Sequence, residues 1–368
     1  MMRIKAPARI CLFGEHQDYL NYPIIAMAIS KYIYLEAKKI TEQKFNIELP
    51  DINETLEIPL KNIELEYKSK RDYLVSGYNQ FIRKGIRFNK GYSIKITGDI
   101  PINAGAASSS ALVMAWLYFL NQISSEPIKS KSALAIEGYN VEVKEFGEAG
   151  GMMDHYTSIF GNLIYLQPEI PQPNILSTDI KLDGFVLGDS LEKKETVNDL
   201  NRVKDKVVKG FKALKEVYTK FDKFKTSLDE IHLYIPNLEN EYQNLVLGNI
   251  INRDITMKAK KLIFEDFPSG FNISTNARNN FYQELGSLIN LHHEQLMGNI
   301  EIYTKKIEFM VDNCLEAGAF GAKINGSGFG GTMFALTTPG DEDALVSAIE
   351  EAGGKAYKIE TSKGVAIY

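Results

Sequence analysis

Cysteine is scarce: Cys11 and Cys314 are the only two in 368 residues. That excludes a disulfide framework, and no CxxC or Cys/His spacing suggests zinc. A reducing cytoplasm is the simplest compartment. Positive charge is not in excess either, with 42 Lys and Arg against 47 Asp and Glu and a net charge of −5, so a nucleic-acid partner is not expected. The longest apolar run, residues 111–120, is about half of what a bilayer span needs, which argues against a membrane partner. The opening MMRIKAPARICLFGEH has no charged head followed by a long apolar stretch, so no signal peptide is expected. Two phosphate-handling signatures are missing as well. No G-x-x-x-x-G-K-[ST] string occurs, and neither do the protein-kinase catalytic-loop and D-F-G strings. No internal repeat or low-complexity tract stands out.

What is present suits an ordinary globular protein, with 44% hydrophobic and 24% charged residues. The length favours two packed domains. Short strands are predicted over 9–13, 24–29 and 32–38, and an edge strand or hairpin over 51–60. Helical spacing over 72–83 survives Gly77. A strand follows over 92–96, then a loop marked by Pro101 and Gly105. The apolar run at 111–120 predicts a buried helix. Strands are expected over 162–167 and 175–187, and an amphipathic helix pair over 192–225. Helices at 281–297 and 302–317 precede a strand, glycine loop and strand at 321–336. This alternation makes the fold α/β or α+β. Pro168, Pro171 and Pro173 mark a soft boundary, which divides the chain into residues 1–175 and 176–368.

Three segments carry chemistry. The first is Ala104 to Ser110: Gly105, the small Ala106 and Ala107, and the hydroxyls of Ser108, Ser109 and Ser110, leading into the apolar helix. Small residues let backbone N–H groups approach a phosphate chain at a helix mouth. A serine hydroxyl there can also ligate Mg²⁺. The same string fits a serine-capped core helix equally well. The second segment packs Glu15, His16 and Asp18 into four residues after an apolar strand, a dense set of partners for hydroxyls that could also be a capped polar turn. The third, Gly147 to Asp154, sets Asp154 behind Gly150 and Gly151, where the carboxylate is either in a tight pocket or an N-cap. Phosphoryl transfer needs positioning, charge neutralisation and often a carboxylate near the attacking hydroxyl. One string misleads. Gly326-Ser-Gly-Phe-Gly-Gly331 satisfies G-x-G-x-x-G but leads into a predicted strand, not a helix, so it is not a dinucleotide fingerprint. It fits a backbone that passes close to another loop or a ligand.

Taken together, APARICLFGEHQDY at 6–19, PINAGAASSSA at 101–111 and KINGSGFGGTMFAL at 323–336 resemble the three motifs of the GHMP kinases, which include galactokinase, homoserine kinase, mevalonate kinase and phosphomevalonate kinase. Arg9 stands where galactokinases have arginine and mevalonate kinases lysine. Gln17-Asp18-Tyr19 is close to the galactokinase Thr-Asp-Tyr, and Gly151-Met152-Met153-Asp154 resembles Gly-Ile-Met-Asp. The resemblance implies an α+β, two-domain fold, with an N-terminal domain like domain 2 of ribosomal protein S5 and a ferredoxin-like C-terminal domain. It implies an ATP-dependent sugar 1-kinase. Asp154 would be the catalytic carboxylate and Arg9 its charged partner. Glu15, His16, Asp18 and Gly151 would line the sugar site. Residues 105–110 would wrap the phosphates beside Tyr73, and Ser110 with Glu142 would hold Mg²⁺.

Departures from the galactokinase pattern are also legible. The chain begins almost at the first motif, which continues Leu20-Asn21-Tyr22-Pro23 in place of Asn-Gly-Gly. Thr196 takes the position of a sugar-contacting tyrosine, so the implied sugar is galactose or a relative. A mevalonate-type kinase and a non-catalytic galactokinase-like sugar sensor are the alternatives, and the expected assembly is a monomer or homodimer. His155, His232, His292 and His293 fall in no motif and read as structural or surface residues.

Overall fold

The computed structural model of the chain describes residues 1–101, 105–148, 150–169, 172–192, 196–267 and 275–368, with the side chains of 196–200 and 275 outside the description. Twelve strands and ten α-helices are seen among the described residues. The strands β1 (Met2–Phe13), β2 (Ile24–Ile40), β3 (Lys44–Leu49), β4 (Glu54–Pro59), β5 (Gly91–Gly98), β6 (Leu163–Gln167) and β7 (Asn174–Thr178) build a first sheet. Between them lie α1 (Tyr73–Arg83), α2 (Ser108–Ile123), α3 (Lys131–Tyr139) and α4 (Met153–Phe160). The strands β8 (Phe185–Asp189), β9 (Gly321–Asn325), β10 (Thr332–Leu336) and β11 (Lys355–Ile359) form a second sheet. Five helices separate β8 from β9: α5 (Thr196–Val217), α6 (Leu228–His232), α7 (Asn240–Lys260), α8 (Thr275–Gly298) and α9 (Lys305–Glu316). Helix α10 (Glu342–Glu351) precedes β11, and β12 (Ala366–Ile367) returns to the first sheet beside β1.

The first sheet runs β12-β1-β2-β5-β3-β4, with β6 on the early half of β2 and β7 on β6. Among the described residues of this sheet only the β3–β5 pair is parallel. The second sheet is antiparallel in the order β11-β8-β10-β9. With helices between its first two and last two strands, that is the split βαβ order of a ferredoxin-like unit.

Residues 24–29 and 32–38 were expected as separate strands, but they form one strand of 17 residues. The pairing explains it. Pro7 faces Tyr32 and Ala8 faces Ile29, so Ser30 and Lys31 are taken up in a bulge instead of a turn. The residues expected as one strand region at 175–187 divide between β7 and β8, in different sheets. The expected helix pair at 192–225 is the single helix α5 followed by turns. Every residue of β1 from Ala6 to Phe13 is buried, because α2 and α4 cover one side while α7 and α8 also reach the strand. A charged side chain in that strand therefore needs an internal partner.

Helix α2 is the core of the first unit. Its Trp116 is fully buried, stacks on Phe119 and donates its indole N–H to the Leu74 carbonyl at 2.9 Å. Here Gly77 finds its reason: a Cβ at that position of α1 would stand 2.7 Å from Trp116 Cδ1. Helix propensity alone favours Gly77→Ala by about 1 kcal/mol, whereas overpacking of a fixed core costs about 1–3 kcal/mol. We expect a lower urea midpoint for Gly77→Ala, and a higher midpoint would show that α1 has room to move off the indole.

Candidate active site

Arg9 lies in the buried middle of β1, 5% exposed. Its Nε donates to Asp154 Oδ1 at 2.7 Å and Nη2 to Oδ2 at 3.0 Å, a two-pronged grip. Nη1 donates to the Gly105 carbonyl at 2.7 Å. Burial works against the charge on Arg9, but the carboxylate of Asp154 outweighs it and holds the guanidinium above its ordinary value. Asp154 sits in the first turn of α4 with its side chain 25% exposed. One edge of the carboxylate is gripped, and the rest is open to a reactant.

The loop entering α2 is shaped from the same side. The Gly105 carbonyl also accepts from Asn325 Nδ2 at 3.2 Å, and the Ala106 carbonyl accepts from the Arg9 N–H at 3.3 Å. A trans peptide sets its N–H opposite its C=O, so the Ala106 and Ala107 N–H groups point away from β1. Gly105 has φ +85° and Ala107 φ +62°, so the backbone enters α2 through two residues with positive φ. The expectation that serine hydroxyls cap this helix is corrected. The N-cap is Ala107, which has no hydroxyl, and no side chain caps the end. The first-turn N–H groups are thus left to a ligand or water. Ser110 is engaged elsewhere: its hydroxyl donates to Glu142 Oε2 at 2.7 Å.

Glu142 sits in a π-type turn, Asn140–Lys144, after α3. Its Oε2 also lies 2.7 Å from Nε2 of His155. Burial pushes its carboxyl up, but bonds from His155, Ser109 and Ser110 bring it below the ordinary carboxylate value. A hydroxyl and an ionised carboxylate at a helix start are hard oxygen donors of the kind Mg²⁺ takes, so these residues fit that ion. Among the described residues no three His, Cys, Asp or Glu side chains converge on a metal.

On the other flank of Asp154 is the turn after β1. Gly151 presses on Asp18 so closely that a Cβ would fall 1.4 Å from Oδ2. Asp18 Oδ1 accepts from the Tyr19 N–H at 2.9 Å. Burial, then the charge of Asp154, pushes the Asp18 carboxyl up to about 6, against the Tyr19 N–H and Lys204. Lys204 comes from α5, with its Nζ 5.8 Å from the centre of the Tyr19 ring. His16 adopts φ +59°, and its Nε2 is 3.0 Å from the Ser327 carbonyl in the glycine loop.

Glu15 is placed differently. It is 2% exposed, with Oε1 on Lys323 Nζ at 2.5 Å and Oε2 in no hydrogen bond, 3.9 Å from His292 Nδ1. It therefore lies in a buried ion pair and not on the open edge. Tyr73 opens α1, packs edge-on to Phe146 and donates to Glu148 Oε1 at 3.2 Å. Burial and the charges of Glu142 and Glu148 raise its phenol pKa. Thr196 begins α5, but its side chain lies outside the described residues.

Several contributors escaped the sequence reading. Lys323 and Asn325 belong to a quoted motif, yet nothing local marks them as partners of Glu15 and of Gly105. Lys204 and His155 have no local signal at all. Surface positions were an option for His155, His292 and His293, and all three are buried. His292 accepts from the Gly14 N–H at 3.0 Å and His293 from the Ile324 N–H at 3.4 Å. Burial pushes both pKa values down, that of His293 to about 3.

Comparison with known proteins adds names to this geometry. The family model described as GHMP kinases N terminal domain matches residues 72–162, and GHMP kinases C terminal matches 273–355. The galactokinase galactose-binding signature matches residues 2–39. Mevalonate kinase of Pyrococcus furiosus is 27% identical, covering 97% of this chain and 95% of the relative. Galactokinase of Thermotoga maritima is 25% identical, covering 99% of both. The fold is similar to that of Lactococcus lactis galactokinase, solved in complex with galactose, with a TM-score of 0.81, 19% identity, and 100% and 95% of the two chains covered.

The crowding of Asp18 has a measurable consequence. Its carboxyl titrates at about 6 in the fold against 3.8 ordinarily. The protonated form thus favours folding at low pH, and that contribution is lost as pH rises through about 6. We expect Asp18→Asn to be more stable than the parent at pH 8 by about 1–3 kcal/mol, and nearly equal to it at pH 4. The check is urea unfolding at both pH values, and an equal difference at the two would contradict the raised pKa of the buried Asp18 carboxyl.

Proposed function

Because the chain belongs to the GHMP kinase family, we propose that it transfers the γ-phosphoryl group of ATP to the anomeric hydroxyl of a monosaccharide, galactose or a related sugar. The observation that carries this reading is the double engagement of Arg9, which grips Asp154 and the Gly105 carbonyl together. The base and the phosphate loop are thereby set on one guanidinium.

The triphosphate would lie along residues 105–110, against the outward N–H groups and the open first turn of α2, with Tyr73 at its side. The acceptor hydroxyl would meet the exposed edge of Asp154, whose oxygens keep free lone pairs beyond those used by Arg9. Asp154 takes the hydroxyl proton as the oxygen attacks the γ-phosphorus, whose bond to the β,γ-bridging oxygen breaks so that ADP leaves with the electron pair. Arg9 offsets charge that develops on the phosphoryl oxygens. Ser110 and Glu142 would hold Mg²⁺, which when bound supplies charge neutralisation on the phosphates. Asp18, His16 and the Gly151 backbone would surround the sugar, and Thr196 would be a further sugar contact. All but Thr196 belong to residues 1–175. Glu15 would reach the sugar only through its unpartnered Oε2. Two free, buried cysteines are in keeping with work in the cytoplasm.

A second reading has its own support. The Pyrococcus furiosus relative is a mevalonate kinase, and Lys204 sets a cation near Asp18 that a carboxylate-bearing acceptor would use.

A coupled ADP-release assay over hexoses, pentoses, uronic acids, mevalonate and homoserine separates the two. We expect turnover with a hexose, and turnover confined to mevalonate would overturn the sugar reading. With the active acceptor, Asp154→Asn should lower kcat by roughly 10²–10⁴-fold while ATP binding stays close to that of the parent. A near-normal kcat would remove Asp154 from the base role.

A further inference from the structure

We propose that His155 is a positioning residue that orients the Glu142 carboxylate for the Mg²⁺–nucleotide complex. The inference rests on the reading of Ser110 and Glu142 as the metal-holding pair. His155 lies one residue beyond Asp154 in α4, and successive helix residues point about 100° apart. The first turn of α4 therefore serves two sites: Asp154 faces Arg9, and His155 faces Glu142.

The contact is enclosed, with His155 1% and Glu142 6% exposed. An ionised carboxylate can only accept, so His155 Nε2 is the donor in the 2.7 Å bond. Ser110 donates to the same Oε2, but its hydroxyl rotates freely. The imidazole is the rigid member of the group. Metal-ligating carboxylates are commonly held by such outer partners.

Two further observations show that the fold makes room for this ring at a cost. Nδ1 of His155 is buried without a hydrogen-bond partner, a desolvation loss that an apolar side chain would avoid. Gly138 stands in the last turn of α3, running on into the turn that carries Glu142, where glycine is a poor helix former. A Cβ there would come within 2.8 Å of His155 Cδ2 and 2.5 Å of Met114 Sδ. The ring also meets Tyr139 edge-on, but that is packing, which an apolar aromatic residue at 155 would supply; what the imidazole adds is the bond to Glu142.

Calorimetric binding of the non-hydrolysable analogue AMP-PNP, with Mg²⁺ and with EDTA, tests this. Glutamine reaches about as far as Nε2 of histidine, and asparagine only about as far as Nδ1. We expect His155→Asn to weaken binding in Mg²⁺ by about 10- to 100-fold and to leave binding in EDTA unchanged, and His155→Gln to restore most of the loss. Equal weakening in Mg²⁺ and EDTA, or no weakening in either, would overturn the positioning role. Glu142→Gln is the control for the underlying reading. If it leaves the Mg²⁺ effect intact, the metal-site reading fails. If it abolishes the effect while His155→Asn does not, only the His155 inference fails.

Discussion

A single guanidinium, buried in the middle of a strand, sets the geometry of this molecule's working end. Arg9 is nearly shut off from water, and each arm meets an acceptor: two go to Asp154 and one to the Gly105 carbonyl. The chain passes through those acceptors in distant segments, one at the mouth of α2 and one at the start of α4. Removing one partner of such a buried pair typically costs 3–5 kcal/mol, because the remaining charge is stranded. Lysine would not replace arginine here, since one ammonium cannot reproduce a planar fork.

The second sheet completes what Arg9 begins. Asn325 accepts from the Cys11 N–H and donates to the Gly105 carbonyl, so β9 steadies both β1 and the loop that enters α2. Lys323 reaches Glu15, and the Ser327 carbonyl meets His16. The glycine string between β9 and β10 permits this approach. Gly326 has φ +81°, and a Cβ there would lie 2.9 Å from the Gly105 oxygen. The three sequence motifs therefore form one interlocked unit. The cost is borne by Asp18, whose pKa is raised by burial and then by the charge of Asp154.

What the sequence made legible was whatever local chemistry fixes. The apolar run of α2, the β9–glycine loop–β10 unit and the order of the motifs could all be read directly. The bulge at Ser30 and Lys31 could not, because it depends on the register with Pro7 and Ala8. Serine capping of α2 was a sound local expectation, yet Ala107 takes the left-handed N-cap and Ser110 turns to Glu142. His155, Lys204 and Lys323 act through partners 13 to 308 residues away, or across from α5, and no local pattern records such a partner. Gly77 looked like a weak point in a helix, and only the indole of Trp116 explains it.

The claim that one guanidinium couples the base to the phosphate loop is tested most directly by the nucleotide affinity of Arg9→Lys. Loss of the bond to the Gly105 carbonyl should relax the loop and weaken AMP-PNP binding about 10-fold, equivalent to about 1.4 kcal/mol. Parent-like affinity in Arg9→Lys would show that the loop is shaped without Arg9, and would contradict the coupling.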